Sequence, residues 1–395
     1  MKKNIFSDAK LFYAHACLFA FSEIIFILSL PVFLYIKGFS LPFIFMFHAL
    51  TNVAGYFLTD KIIPYVLRTN IKRVIIMGVI FYIIFGFAAL FITTANYWWL
   101  VAFLFLSLQS LFYFPARHLF FVEIAAQKTV GLQTGVLSAV SLIARVVAPI
   151  VAGGIAAVSS FNYVFLFGAV MMIFSILPVL FIRTKVAVDF DRNKFVEMQK
   201  NNVIFKETRW PYVADGMNNA VSYLMWPLLF FLLLGNEDFF QLGSIMTITS
   251  AISAVIMVLV GHLFDKKHRK SLLSYSIVAE AVSSLLRFAL LFFHPLIFVY
   301  TAQSLYSFSE SALQSTFDSY FYSYGKVTNT AFFTIHREIN FSLGRFLLCL
   351  FMAVASYFIT EVENLWFLFL IILPILFLYF QKVKVDGLIE NGRKA

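Results

Sequence analysis

A chain whose apolar runs repeat at the length of a membrane crossing has few folds open to it. A helix needs about 20 apolar residues to cross roughly 30 Å of hydrocarbon, where the backbone must bond to itself because no water is present. Twelve such stretches can be read, at 9–36, 40–62, 73–93, 97–122, 129–158, 161–183, 210–234, 238–263, 271–293, 295–321, 327–357 and 363–382. Only 13% of the residues are charged, against about 25% in ordinary soluble domains. The sequence predicts an all-α integral membrane protein. The first run is expected to remain in place, since Glu23 interrupts it and no short apolar stretch with a small-residue cleavage site follows.

Residues 184–209 are the one long polar interval and hold ten charged residues. They divide a six-helix bundle at 1–183 from a second at 210–395, with the interval as a linker. Phe195, Val196, Val203 and Phe205 are spaced to give that linker an amphipathic helix on the inner leaflet, with a solvated connector as the equal alternative.

Lysine and arginine are retained on the cytoplasmic side of short loops. Of the 30 Lys and Arg residues, 24 fall on the termini, the linker and alternate loops, while the opposite loops hold only Lys37. Both termini and the linker are therefore expected in the cytoplasm, with Glu237, Asp238, Glu361 and Glu363 outside. A net charge of +10, spread over short loops in this way, provides no single basic face for nucleic acid.

Five arginines remain inside or at the ends of spans: Arg117, Arg145, Arg287, Arg337 and Arg345. Charge at that depth is costly and normally faces a bundle interior or wet cavity, paired with its opposite. The acids read at comparable depth are Glu23, Glu280, Glu310 and Glu338. Counted from the helix ends, Glu23 and Arg145 both lie roughly 20 to 25 Å along their helices and can meet across the bundle. Glu280, Glu310, His336 and Arg337 share a layer at roughly 15 Å, with Arg287 and Arg345 above it. Residues seven apart share a helix face, so Glu280 with Arg287 and Glu338 with Arg345 should point inward. Such pairs can equally be structural ties between helices. Glu23 is the candidate proton carrier, because a carboxyl in apolar surroundings can exchange a proton near neutral pH, and Glu280 and Glu310 are candidates beside it.

Cys17 and Cys349 both fall in spans, and the histidines show no metal-ligand spacing. No phosphate-binding loop, dinucleotide fingerprint or nucleophile elbow is present. No cofactor or metal is expected, and six helices plus six about a polar linker favour a two-repeat transporter over an intramembrane enzyme.

"GHLFDKKHRK", residues 261–270, resembles the signature loop of the major facilitator superfamily, with Gly261, Asp265, Lys266, Arg269 and Lys270 in matching positions and His268 in place of a glycine. "GYFLTDKIIPYVLRTNIKR" in the first half is a degenerate counterpart that retains Asp60. "GVLSAVSLIARVVAPIVAGG" is similar to a helix-packing pattern of facilitator antiporters, with Gly135, Ala144, Ala148, Pro149, Ala152 and Gly153 in its small-residue and proline positions. Together with "FPARHLFFVEI" it looks like the branch containing siderophore and macrolide exporters.

The resemblance implies two six-helix bundles related by a pseudo-two-fold axis, rocking about a midplane site. It also implies that Asp265 latches its helix to the positive N-terminal end of a helix in the other half, with Asp60, Lys266, Arg269 and Lys270 completing a cytoplasmic gate. The expectation is a monomeric, proton-coupled exporter of a small amphipathic molecule in the cytoplasmic membrane of a bacterial-type cell. Arg287, His336, Arg337, Glu338 and Arg345 would line its substrate cavity. Uptake, lipid flipping and a transport-dead sensor are the alternatives.

Overall fold

The structure, a computed structural model, describes residues 2–380 except 69, 126–129, 185–189, 234–238, 266–268, 291, 293–295, 328, 360–364, 366–369 and 371. Six helices precede the linker: α1 Lys2–Ile36, α2 Leu41–Leu67, α3 Ile71–Ala89, α4 Trp98–Ile124, α5 Val130–Val158 and α6 Phe161–Phe181. The linker itself holds α7, Arg192–Asn201. After it come α8 Val203–Ala220, α9 Trp226–Leu233, α10 Phe239–Asp265, α11 Arg269–Ala289, α12 Leu296–Val327, α13 Thr330–Phe358 and α14 Ile372–Phe380.

Among the described residues eight helices, α1 to α6 with α11 and α13, are long and apolar enough to cross a membrane. At 27 and 32 residues α10 and α12 are long enough to cross as well. The apolar character of α12 is diluted by Glu310, Asp318 and buried Ser311, Ser315 and Ser319.

Polar residues at the ends explain where several helices begin. Ser40 accepts from Phe43 N at 3.4 Å and Asn70 from Lys72 N at 3.0 Å, each meeting one of the backbone donors left over in a first turn. Asp191, Asn202 and Asn329 cap α7, α8 and α13 in the same way. Gly38, at φ 88°, takes the left-handed conformation between α1 and α2 that a residue with a Cβ rarely adopts.

In the first half α1 packs on α5 and α6, and α3 on α4 and α6. In the second half α8 packs on α13, and α12 on α10 and α11. The halves meet along α5 with α10 and α2 with α13. Close backbone approach makes these contacts possible. A Cβ added at Gly243 of α10 would lie 2.5 Å from the Pro149 carbonyl oxygen of α5. Within the second half, Cβ atoms at Gly216 and Gly344 would collide with the carbonyls of Phe341 and Val213, so α8 and α13 press together through a reciprocal glycine pair.

The linker differs from both readings of it. Its Phe195 is 1% exposed and packs on Phe190 and on Phe332 of α13, at ring distances of 5.2 and 5.8 Å. The apolar side of α7 thus faces the protein's own second half rather than lipid, and Val203 is exposed at the start of α8. Arg192 meets Asp60 of α2 at 3.0 Å, and Arg68 donates to the Phe190 carbonyl at 3.3 Å. The linker therefore touches both halves on the face that carries the N-terminus and most basic residues, the basic face. The seventh span also differs: helix begins at Val203, before residue 210, and a π-helical turn at Val221–Met225 interrupts it.

Candidate functional site

A cavity of about 230 Å³ lies between the halves, walled by α1, α4 and α5 on one side and by α8 through α13 on the other. That is somewhat below the roughly 300–1,000 Å³ of drug-sized sites, so it suits a compact ligand. Most of its charged side chains fall into three groups, ordered from the basic face inward, and Arg117 of α4 and Glu310 of α12 also line it.

The first group centres on Arg337, which is 4% exposed. Its Nη1 donates to Glu338 Oε1 at 2.8 Å, and its Nη2 lies 3.2 Å from Asp215 and 3.6 Å from Asp318. Three carboxylates thus surround one guanidinium, while the rings of Phe321 and Phe341 sit 4.8 and 4.9 Å from it. Nη1 also donates across the interface to His118 Nε2 of α4, at 3.1 Å. Arginine can only donate, so Nε2 is the acceptor and Nδ1 carries the hydrogen. That hydrogen points to the Tyr322 hydroxyl of α12, 2.7 Å away. Phe121 packs on Tyr322 at 4.5 Å. His118 and its neighbours stitch the first half to the second near the basic face.

The second group lies at mid-depth. Arg345 places Nε 2.8 Å from the Asn219 amide oxygen, which Nη2 also reaches. Asn219 fixes the guanidinium without neutralising it. Glu23 of the first half and Glu338 line the same cavity as Arg345.

The third group is built around Arg287. Its guanidinium lies between the rings of Trp226 and Tyr306, 3.6 and 3.1 Å from their centroids, and Nη2 donates to Gln303 Oε1 at 2.7 Å. A cation held against two aromatic faces and an amide oxygen is stabilised even where water is scarce. Glu280 lies behind this group, accepting from the Ser309 hydroxyl at 2.7 Å.

Of the residues singled out from sequence, Glu23, Arg117, Pro149, Arg287, Glu310, Arg337, Glu338 and Arg345 line the cavity. Glu280 is fully buried behind Ser309 and is not part of the lining. His336 is not in the lining either. It packs between α8 and α13, 4.7 Å from the Phe205 ring, beside Thr208 and Asn340, because the α13 face it occupies turns toward α8. The side chain of Arg145, the expected partner of Glu23, lies outside the described residues, as do those of Asp265, Arg269 and Lys270, the surroundings of Gly261 and all of Lys266. Asp60 is bound to Arg192 of the linker. Gly135, Ala144, Ala148, Pro149, Ala152 and Gly153 are all buried, on a helix that packs against α1 and α10.

Sequence reading missed Asp215 and Asp318, the acids that hold Arg337, and also His118, Tyr322 and Asn219. A helix count begun at Val203 and carried to Val327 would have placed both aspartates well inside spans. The histidine bridge and the amide clamp leave no spacing signal, because their partners lie far apart in the chain.

Residues 64–347 match the family described as the Major Facilitator Superfamily. No curated protein matches the sequence. The fold is similar to the crystal structure of the human organic anion transporter MFSD10 (TETRAN), with a TM-score of 0.66 and 10% sequence identity over 95% of this chain and 99% of that one.

Proposed function

This chain belongs to the major facilitator superfamily, and from that premise we propose that it is a monomeric, proton-coupled exporter of a small amphipathic molecule. The basic face is then the cytoplasmic one, in the membrane of a bacterial-type cell. The observation that carries the reading is the cavity between the halves, whose wall joins Glu23 of α1 to Arg345 of α13 and whose cytoplasmic end is tied by His118, Tyr322 and Arg337.

Alternating access needs a site that both halves share and a closure that can be released. Hydrogen bonds serve as such a closure because each contributes only about 0.5–1.5 kcal/mol net, so a ligand or a proton can shift the balance. Glu23 is the proton carrier in this reading. When it is charged it balances Arg345 across the interface, and when it is neutral that attraction between the halves is lost. Gain or loss of one proton thereby changes how strongly the halves hold each other at mid-depth. The small-residue positions of α5 resemble those of export antiporters and support the outward direction.

The test is purified protein in liposomes, with fluorescent amphipathic dyes as substrates and an imposed pH gradient. The gradient should drive dye movement in the wild type and not in Glu23→Gln, which should still bind dye. Equal gradient-driven movement in both proteins would remove Glu23 from the coupling.

A further inference from the structure

A second, smaller cavity of about 80 Å³ opens beside the first, between α1, α2, α3 and α4 and the mid-depth part of α8 and α13. The two share Glu23, Ile27, Phe114, Asn219, Tyr223 and Arg345. From that junction the smaller one continues past Gln109 and Ser110 to His48, Thr51 and Asn52. Counted from the helix ends opposite the basic face, His48 lies roughly 10 Å in, Gln109 roughly 17 Å and Glu23 roughly 20 Å. The side chains are therefore graded in depth from the outer face to the proton carrier.

Thr51 and Asn52 donate to the His48 carbonyl within their own helix, at 2.8 and 2.7 Å, but the ring of His48 and the amide of Gln109 are not satisfied in this way. Gln109 is 2% exposed, and its Oε1 accepts from Ser110 at 3.2 Å. Its Nε2 has no hydrogen-bond partner among the described residues, and neither has the buried Nε2 of His48. Buried polar atoms are nearly always satisfied by protein or by ordered water. Each such water needs at least about 10–15 Å³ of accessible space, so a cavity of about 80 Å³ has room for several. Two unsatisfied nitrogens on the wall of a cavity of that size mark where the waters bond.

We propose that this side cavity is a hydrated proton vestibule, which carries protons from the face opposite the basic loops past His48 and Gln109 to Glu23, apart from the cavity that holds the substrate. It rests on the reading of Glu23 as proton carrier. The step moves one proton and no electrons. The Glu23 carboxylate gains the proton given up by the water beside Gln109, and that water is replenished along the chain from the His48 end. The titratable and charged groups facing the route are His48 on α2, Glu23 on α1, Tyr82 on α3, Tyr223 in the π-helical turn, and Arg345 and Cys349 on α13. Arg345 stands at the junction, where its positive charge repels an excess proton from the larger cavity and leaves Glu23 as the acceptor. Neutralising Glu23 then removes an attraction on Arg345, which carries the event into the second half.

The experiment needs only protons as its probe. Full-length protein is oriented in sealed vesicles, the pH is stepped on one side, and the infrared carbonyl band of protonated Glu23 is followed in time, with Glu23→Gln used to assign it. The band should rise promptly when acid is added to the face opposite the basic loops. In His48→Phe the rise should slow by roughly a hundredfold, the low end of what a positioned proton-transfer group contributes. Gln109→Met, close in shape and without the amide, should slow it by a smaller factor and serves where the larger substitution lowers yield. An unchanged rate in both variants, or entry from the basic face, would overturn the vestibule while leaving Glu23 as a carrier. Absence of any titrating band that Glu23→Gln removes would overturn the carrier reading itself.

Discussion

Arg337→Gln removes a cation that Asp215, Asp318 and Glu338 share. Glu338 lies 2.8 Å from the guanidinium, Asp215 3.2 Å and Asp318 3.6 Å, and the side chains of Arg337, Asp215 and Glu338 are all under a tenth exposed. Breaking a buried pair by deleting one member costs about 3–5 kcal/mol, because the partner's charge is left without compensation. Glutamine keeps part of the volume and can return one or two hydrogen bonds, each worth about 0.5–1.5 kcal/mol, so the lower end of that range is expected. Combining Arg337→Gln with Asp215→Asn should cost less than the sum of the two single changes, because one charge of each sign is removed together. The assay is denaturant or thermal unfolding of purified protein in mild detergent. A loss below about 1 kcal/mol, the scale of exposed pairs, with strictly additive single and double changes, would refute the claim that the cluster is buried and mutually dependent.

Three further outcomes follow from the packing and the charge pattern. Gly216→Ala should lower stability by about 1–3 kcal/mol, the usual cost of overpacking, since its Cβ would collide with the Phe341 carbonyl; Gly154→Ala, which meets nothing within 4 Å, should be neutral or slightly stabilising in the same melting assay. Asp60→Asn should change stability by no more than about 1 kcal/mol, because its partner Arg192 is half exposed; a larger loss would mean that the linker contact is a principal tie. Topology reporters fused at residues 195 and 390 should read cytoplasmic and those at 237 and 362 external, and an external signal at 195 would invert the assignment of the basic face.

Much of the helical framework was legible because hydrocarbon imposes a length on every crossing. The spans read at 129–158 and 161–183 agree with α5 and α6 to within two residues. Legibility fell where polar residues continue a helix beyond its apolar stretch. The residues from Val203 to Arg209 read as linker, yet they form the first turns of α8, and this put Asp215 at the edge of a span when it lies about three turns inside. The π-helical turn at Val221–Met225 carries no distinctive residue pattern. The inward direction of Glu338 and Arg345 was readable from their seven-residue spacing. The choice of partners was not. Asn219 and Gln303 take places where an acid was expected, and His118 joins the halves through residues more than two hundred positions away. His336 shows the limit of depth counting, which fixes height along a helix and not direction around it.

Whether the cavity between the halves opens alternately to the two faces is tested most directly by one cysteine. Ser138→Cys places a thiol on the cavity wall in a protein whose Cys17 and Cys349 are replaced by serine, and a membrane-impermeant thiol reagent is applied to each face of sealed vesicles in turn. The thiol should react from both faces. Tyr322→Phe, by deleting the 2.7 Å bond to His118, should raise the share reacting from the basic face roughly two- to tenfold, as the loss of one hydrogen bond allows. Reaction from one face only, unchanged by Tyr322→Phe, would contradict both the shared cavity and its latch.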